Sequence, residues 1–352
     1  DIREHARHYA DEHGDTLVAL PSDQRRKALV AYALPLNIEK MKADLLKYRI
    51  EYDQWFRESS LHDDGEVREV LDLLGQKGLT YEKDGALWYK ASENGGEKDE
   101  VLVRANGTPT YFAADIAYHR NKFRRGFDTC IDVWGADHHG HVARMKGAMD
   151  AVGLDGSKLQ VVLIQLVRLM RDGEVVRMSK RSGKAIQLAD LLDEVPVDAA
   201  RFFFNMREPN STLDFDLDLA VEETSQNPVY YVQYAHARIC SILKNLAAEG
   251  ISPRPVTAAE LDLLTTSEEK ELIRKLATLP EEIIGAAKNY DPARLTHYVI
   301  DTATLFHKFY NACRVKGEEE PLMQARLALC MATRIVIENV LGLLKITAPE
   351  SM

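Results

Sequence analysis

Along the last third of the chain, apolar residues recur every three or four positions. Val232, Ala235, Ile239, Ile242 and Leu246 form one such stripe, and Leu295, Tyr298, Thr302, Leu305 and Phe309 form another. Each stripe covers one face of a helix, and such a face is stable only against other helices. Thr266 with Glu269 reads as a capping box, and Asp291-Pro292 as a cap followed by proline at the first helical position. From about Val229 onward the pattern predicts a helical bundle.

The middle third alternates between two periods. Val101-Leu102-Val103 and Cys130 to Trp134 read as buried strands, and Leu159 to Val167 as one further fully buried strand. Tyr111 to Lys122 and His141 to Val152 read as helices between them. Strand–helix alternation predicts a parallel sheet with its ligand site at the carboxyl ends of the strands. Residues 1–60 read as charged, lysine-rich helices. Between about 66 and 105 a short helix (Val67 to Leu74) meets Gly75 and Gly78, strands such as Gly85 to Tyr89 follow, and Ser92 to Glu100 is a polar loop. A boundary between the α/β part and the bundle falls between Phe215 and Tyr230.

Composition narrows the classes. A length of 352 residues suits about two domains, and 45% hydrophobic with 28% charged residues suits a packed core without covalent staples. With 45 Lys+Arg against 55 Asp+Glu the net charge is −10, which excludes a general attraction for nucleic acid but not a local basic patch. Arg120, Lys122, Arg124 and Arg125 offer either such a patch or a solvated helix end. Cys130, Cys240, Cys313 and Cys330 show neither CxxC nor zinc-finger spacing, so they read as reduced thiols in a cytoplasmic protein. No apolar run reaches the roughly 20 residues of a membrane span. The start, Asp1-Ile2-Arg3-Glu4-His5, has no signal-peptide pattern and no initiator Met, from which a fragment is expected.

The chemistry-bearing segments are few. Neither GxxxxGK[ST] nor GxGxxG occurs. Arg177-Met178-Ser179-Lys180-Arg181-Ser182-Gly183 follows an apolar strand and an Arg171-Asp172-Gly173 turn. On spacing alone it is either an exposed basic turn or a loop that closes on a triphosphate and neutralises charge as pyrophosphate leaves. Tyr111 and Asp115 sit four apart, on one helix face. They are either packing plus a solvated acid, or a stacking plate and a carboxylate suited to a guanidinium. Asp137, His138, His139 and His141 invite a metal reading. Immediate neighbours rarely converge on one ion, and no tightly bound metal is expected.

Arg177 to Gly183 resembles the KMSKS loop of class I aminoacyl-tRNA synthetases, with Arg177 in place of the first lysine. Tyr111 to His119, Trp134-Gly135-Ala136-Asp137-His138-His139-Gly140-His141, Asn227 to Arg238 and the ending Ala348-Pro349-Glu350-Ser351-Met352 are similar to arginyl-tRNA synthetases of the bacterial type, along essentially the whole chain. The resemblance implies an α/β fold. Residues 1–222 would be the second part of a Rossmann-like catalytic domain, with an inserted segment near 61–105 and the KMSKS-like loop at 177–183. Residues 223–352 would be an all-α, DALR-type anticodon-binding bundle, with Asp198-Ala199-Ala200-Arg201 standing where a related Asp-Ala-Leu-Arg sequence often leads into it.

It implies site residues as well. Tyr111, Asp115 and His138 would bind arginine. Gly135, Asp137 and Met178 would bind ATP, and Lys180 with Ser179 would be catalytic, Lys180 also holding ATP phosphates. His138-His139-Gly140-His141 has the outline of the other class I signature, HIGH. Yet it follows the Tyr111 helix, and Arg177 comes only 177 − 141 = 36 residues later. Its neighbours match the family's GxD segment instead, so the true HIGH motif is expected outside this chain, leaving the chain by itself catalytically incompetent. The implied partners are L-arginine, ATP with Mg²⁺ and tRNA(Arg), in a cytoplasmic protein that is monomeric when full length. Two other readings stand beside this one: a non-catalytic tRNA-binding module, and a cytidylyltransferase-like enzyme, which would lack the helical tail.

Overall fold

Two-residue Asp-Gly turns punctuate the β segments, and their backbone explains the choice of residue. The computed structural model describes residues 2–177 and 186–352. In it Asp84 and Gly85 have φ of 53° and 74°, and Asp172 and Gly173 have φ of 51° and 76°. Both pairs close hairpins whose turns need left-handed φ at two successive positions.

The chain opens with a helical hairpin, α1 (Ile2–His13) and α2 (Ser22–Lys47), neither of which contains a buried residue. Then come α3 (Glu58–Asp63) and α4 (Glu66–Gln76). β1 (Thr80–Lys83), β2 (Ala86–Tyr89) and β3 (Glu100–Val103) form an antiparallel sheet in that order. The segment α5 (Tyr111–Arg124), β4 (Cys130–Gly135), α6 (His139–Ala151) and β5 (Leu159–Ile164) follows, and β4 and β5 pair in parallel across the α6 crossover. β6 (Val167–Arg171) pairs antiparallel with β7 (Glu174–Val176) and parallel with β8 (Leu213–Asp216). Between β7 and β8 lie α7 (Leu188–Glu194) and α8 (Val197–Phe204), and α9 (Leu217–Ala220) follows β8.

The remainder is helical, as the spacing predicts. It comprises α10 (Pro228–Ala248), α11 (Ala258–Leu261), α12 (Ser267–Ala277), α13 (Leu279–Asn289), α14 (Ala293–Ala312) and α15 (Glu320–Leu343). The Thr266 capping box forms, with Glu269 N donating to its hydroxyl at 3.2 Å and Thr266 N donating to the Glu269 carboxylate at 2.9 Å. The same buried Glu269 accepts from Arg326 at 2.7 Å, so its charge is compensated. Asp291 accepts from Ala293 N at 3.1 Å, but Pro292, read as the first helical position, stands at the cap position and α14 begins at Ala293.

Three strand readings need correction. Val101–Val103 belongs to the antiparallel sheet, not the parallel one. Leu159–Val167 is not one strand: β5 ends at Ile164, Gln165 N donates to Pro209 O at 2.9 Å, and Leu166, 74% exposed, carries the chain into a different sheet as β6. An apolar run reports burial and not pairing, so a change of sheet partner leaves no mark in it. Cys130–Trp134 is buried on one face alone, since Ile131 and Val133 are 50% and 67% exposed.

Among the described residues the buried side chains fall into two clusters. One joins α3, α4, the antiparallel sheet, α5, α6 and β5 through Leu61, Val70, Leu74, Tyr89, Ile116, Met145, Met149 and Leu159. The other is continuous from α7 through β8 and into the bundle, with Phe202, Phe215, Ile239, Phe306, Phe309 and Leu341 among its members. Each large side chain so buried contributes about 1.5–3 kcal/mol by transfer from water.

Candidate active site

Helix α5 has two faces of different composition. Phe112, Ala113, Ala114, Ile116 and Ala117 are buried, and the three alanines let the helix axis lie close to its neighbours. Tyr111, Asp115 and His119 follow at intervals of four on the other side, with Tyr118 and Lys122 beside them. Across from them, alternation on β4 turns Asp132 and Trp134 toward the helix. Together with His138, His141 and Arg144 these residues line a cavity of about 610 Å³. It adjoins the carboxyl end of β4, where strand–helix alternation places a ligand.

Two carboxylates in this cavity have different surroundings. Asp132 is nearly enclosed. His119 Nε2 lies 2.7 Å from its Oδ2, and Lys122 Nζ donates to its Oδ1 at 2.7 Å. Burial alone would raise its pKa, but those two partners outweigh burial and bring it down to about 2. His119 is fixed in turn at its other nitrogen, Nδ1, 2.7 Å from Asp115 O. Asp132 is therefore already neutralised from within.

Asp115 is not. Its side chain is 45% exposed, and His141 Nε2 lies 3.6 Å from its Oδ2. Tyr111, one turn earlier, is 75% exposed. The cavity thus offers one carboxylate with spare acceptor capacity next to an open aromatic face, which is what a planar cation needs.

Of the residues singled out from sequence, Tyr111, Asp115 and His138 share this cavity. Gly135 ends β4, where an added Cβ would come within 2.5 Å of the exposed Asp137 carboxylate. Asp137 lines an adjoining pocket of about 220 Å³ with His138, Gly140, Lys98 and Glu97. Met178, Ser179 and Lys180 lie outside the described residues. Among the described residues no three His, Cys, Asp or Glu side chains converge as a metal site would require.

Sequence reasoning missed His119, Asp132 and Arg144, and saw in His141 a motif outline and a metal-ligand candidate but no part in this cavity. The first left a signal, since His119 continues the 111–115 spacing by another turn. The others depend on which elements meet. The basic patch reads differently as well. Arg120 and Arg124 pair with Glu69, Lys122 with Asp132, and Arg125 with Gln54. Those partners sit on other elements, so the patch is largely neutralised within the fold.

The sequence and the fold match known proteins. The family described as tRNA synthetases class I (R), catalytic domain, matches residues 22–242, and the DALR anticodon binding domain matches residues 232–352. An arginine–tRNA ligase of Caldanaerobacter subterraneus subsp. tengcongensis is 60% identical over 353 residues, covering 100% of this chain and 63% of the relative. The arginine–tRNA ligase of Acetivibrio thermocellus is 59% identical over the same length and shares.

The chain belongs to the class I arginyl-tRNA synthetase family.

Solved members of the family superpose on it. An arginyl-tRNA synthetase structure from Campylobacter jejuni, 31% identical, matches with a TM-score of 0.87 over 99% of this chain and 75% of that one. The Thermus thermophilus arginyl-tRNA synthetase, 24% identical, shares the fold with a TM-score of 0.77 over 100% of this chain and 71% of that one. The chain spans 63% of the length of the curated family members named above. Within it the catalytic-domain match includes the α5–β4 cavity, and the anticodon-binding-domain match begins inside α10 and covers the rest of the helical bundle. Among the described residues no helix is long and apolar enough to cross a membrane.

Proposed function

We propose that the full protein is an arginine–tRNA ligase, cytoplasmic and monomeric, and that the α5–β4 cavity reads the arginine side chain. In this reading the guanidinium stacks on Tyr111 and takes paired hydrogen bonds to Asp115, with His138 beside it. Gly135 and Asp137 hold adenosine, Met178 is assigned to ATP binding with them, and Lys180 with Ser179 is assigned to the phosphates. The arginine carboxylate attacks the α-phosphate of ATP and pyrophosphate leaves. A terminal ribose hydroxyl of tRNA(Arg) then attacks the activated carbonyl and AMP leaves. The charge that builds on the departing pyrophosphate is met electrostatically by Lys180, with no covalent intermediate on the protein. Asp132 is committed to His119 and Lys122, Asp115 is given to the guanidinium, and among the described residues no three His, Cys, Asp or Glu side chains converge to hold a resident magnesium. Mg²⁺ is assigned to the ATP phosphates.

The observation that supports this reading best is the contrast between Asp132, already paired, and Asp115, open beside Tyr111. The test is Asp115→Ala in the full-length protein. Leaving a guanidinium in the cavity without its partner costs about 3–5 kcal/mol, so arginine affinity should fall at least about a hundredfold while ATP affinity stays within about threefold. Equal losses for both ligands would sink the assignment.

The bundle supports the RNA half of the reading. Tyr230 and Tyr234 stack at 6.5 Å, Tyr234 stacks on His307 at 6.0 Å, and the Arg238 guanidinium lies 5.6 Å from Tyr234 and 4.3 Å from Tyr310. An aromatic and cationic ladder of this kind, open at Tyr234, suits splayed bases of a single-stranded loop. The same ladder is what favours the second reading, a non-catalytic tRNA-binding module. Arginine-dependent ATP–pyrophosphate exchange separates the two, since a binding module shows none.

A further inference from the structure

We propose that Arg144, clamped by Glu100, is a positioning residue for reading the substrate side chain, acting through His141 on Asp115. The inference rests on the assignment of Asp115 to the guanidinium and adds three residues to it. Arg144 of α6 donates to Nδ1 of His141 from Nε at 3.0 Å and from Nη2 at 2.5 Å. A guanidinium has no acceptor, so Nδ1 supplies the lone pair and the ring proton sits on Nε2. That nitrogen faces Asp115 Oδ2 at 3.6 Å. The distance is just beyond hydrogen-bond length, so the N–H dipole orients the carboxylate and leaves its other oxygen to the ligand.

His141 is set for this task by packing. Its ring lies 5.1 Å from Trp134 and 5.6 Å from Phe112, and its side chain is 15% exposed. Arg144 is itself held twice, by the Glu100 carboxylate at Nη1 and by the Phe112 ring, 5.5 Å from its guanidinium carbon. The clamp has a second consequence. Arg144 and Asp115 line the same cavity, and Arg144 carries the chemical group that Asp115 is proposed to bind. Glu100 keeps that internal guanidinium turned toward β3 and away from the substrate's place. The antiparallel sheet therefore reaches the site through one carboxylate.

The experiment uses the full-length protein and measures arginine and ATP affinities separately by calorimetry for Arg144→Gln, Arg144→Lys, Glu100→Gln, His141→Phe and the double variant His141→Phe with Arg144→Gln. Loss of an orienting partner behind a binding group weakens binding by about tenfold to a hundredfold. Arg144→Gln and Glu100→Gln should weaken arginine by about tenfold or more and change ATP less than about twofold. Arg144→Lys, which keeps a donor for Nδ1, should recover part of the loss. The double variant should bind arginine within about threefold of His141→Phe alone, because residues on one relay are not additive. Equal weakening of both ligands, or a fully additive double variant, would show a merely structural role and overturn the proposal. Asp115→Ala, run in parallel, separates the failures. If it retains arginine, the assignment of Asp115 falls and the relay with it. If it loses arginine while Arg144→Gln does not, the relay alone falls.

Discussion

At the scale of single residues, the site is organised by which charges are already satisfied. Asp132 has a pKa lowered from 3.8 to about 2, so its ionised form stabilises the fold. That contribution is complete above the unfolded value near 3.8 and is lost as pH falls through about 2. The shift corresponds to about 2 kcal/mol for this nearly enclosed carboxylate. Asp132→Asn should therefore lower stability by about 2 kcal/mol in urea unfolding at pH 6, with the deficit narrowing below about pH 3. A deficit that is constant with pH would mean that His119 and Lys122 do not hold the charge. Tyr111 and Asp115 were legible in the sequence because their partnership is local, four residues apart on one helix. The pairing of His119 with Asp132 was not, because it needs α5 to cross β4 at one particular height.

At the scale of elements, local signals proved reliable where the physics is local. The Asp172-Gly173 turn, the Thr266 capping box and the apolar stripes of α10 and α14 form as their spacing requires, whereas Gly85, read as the start of a strand, belongs to the turn before β2. Signals that depend on a neighbour did not announce themselves, as the division of Leu159–Val167 between two sheets shows. Gly147, in the middle of α6, is a further case. An alanine there would normally favour the helix by about 1 kcal/mol. Here an added Cβ would lie 1.6 Å from Asn94 O, a backbone atom that cannot swing aside. Overpacking costs about 1–3 kcal/mol, so the clash wins and Gly147→Ala should destabilise. Amide exchange should rise first in residues 91–99, which dock on α6 at this point, while α14 and α15 stay protected. Unchanged exchange in 91–99 would show that the contact does not hold the loop.

At the scale of the whole molecule, the Asp198–Arg201 segment acts as a tie. Asp198 accepts from Arg49 at 2.5 Å, from Gln233 at 2.9 Å and from Thr347 N at 3.2 Å. Arg201 donates to Tyr48 O and Leu344 O, each at 2.8 Å, and His236 Nδ1 meets Pro349 O at 2.9 Å. The end of α2, the start of α8, the helix α10 and the carboxy-terminal tail are thereby drawn to one carboxylate and one guanidinium. Asp198→Ala should cost about 2 kcal/mol, less than a fully buried pair because Arg49 is about one-third exposed. In limited trypsin digestion, cleavage after Lys345 should come first, before any cut in α5 or α6. Simultaneous cleavage throughout would show that the tail is not held separately. The sequence alone determined the helical bundle, the α/β alternation before it, the family resemblance and the Tyr111–Asp115 pair, since periodicity, turn chemistry and one-turn spacings are set within a few residues. Only the tertiary structure decided which strands share a sheet, which cations are already spent on Glu69 and Asp132, and that Glu100 and Arg144 stand behind Asp115. Those are contacts between residues tens of positions apart, and no local pattern encodes the distance at which two elements finally pack.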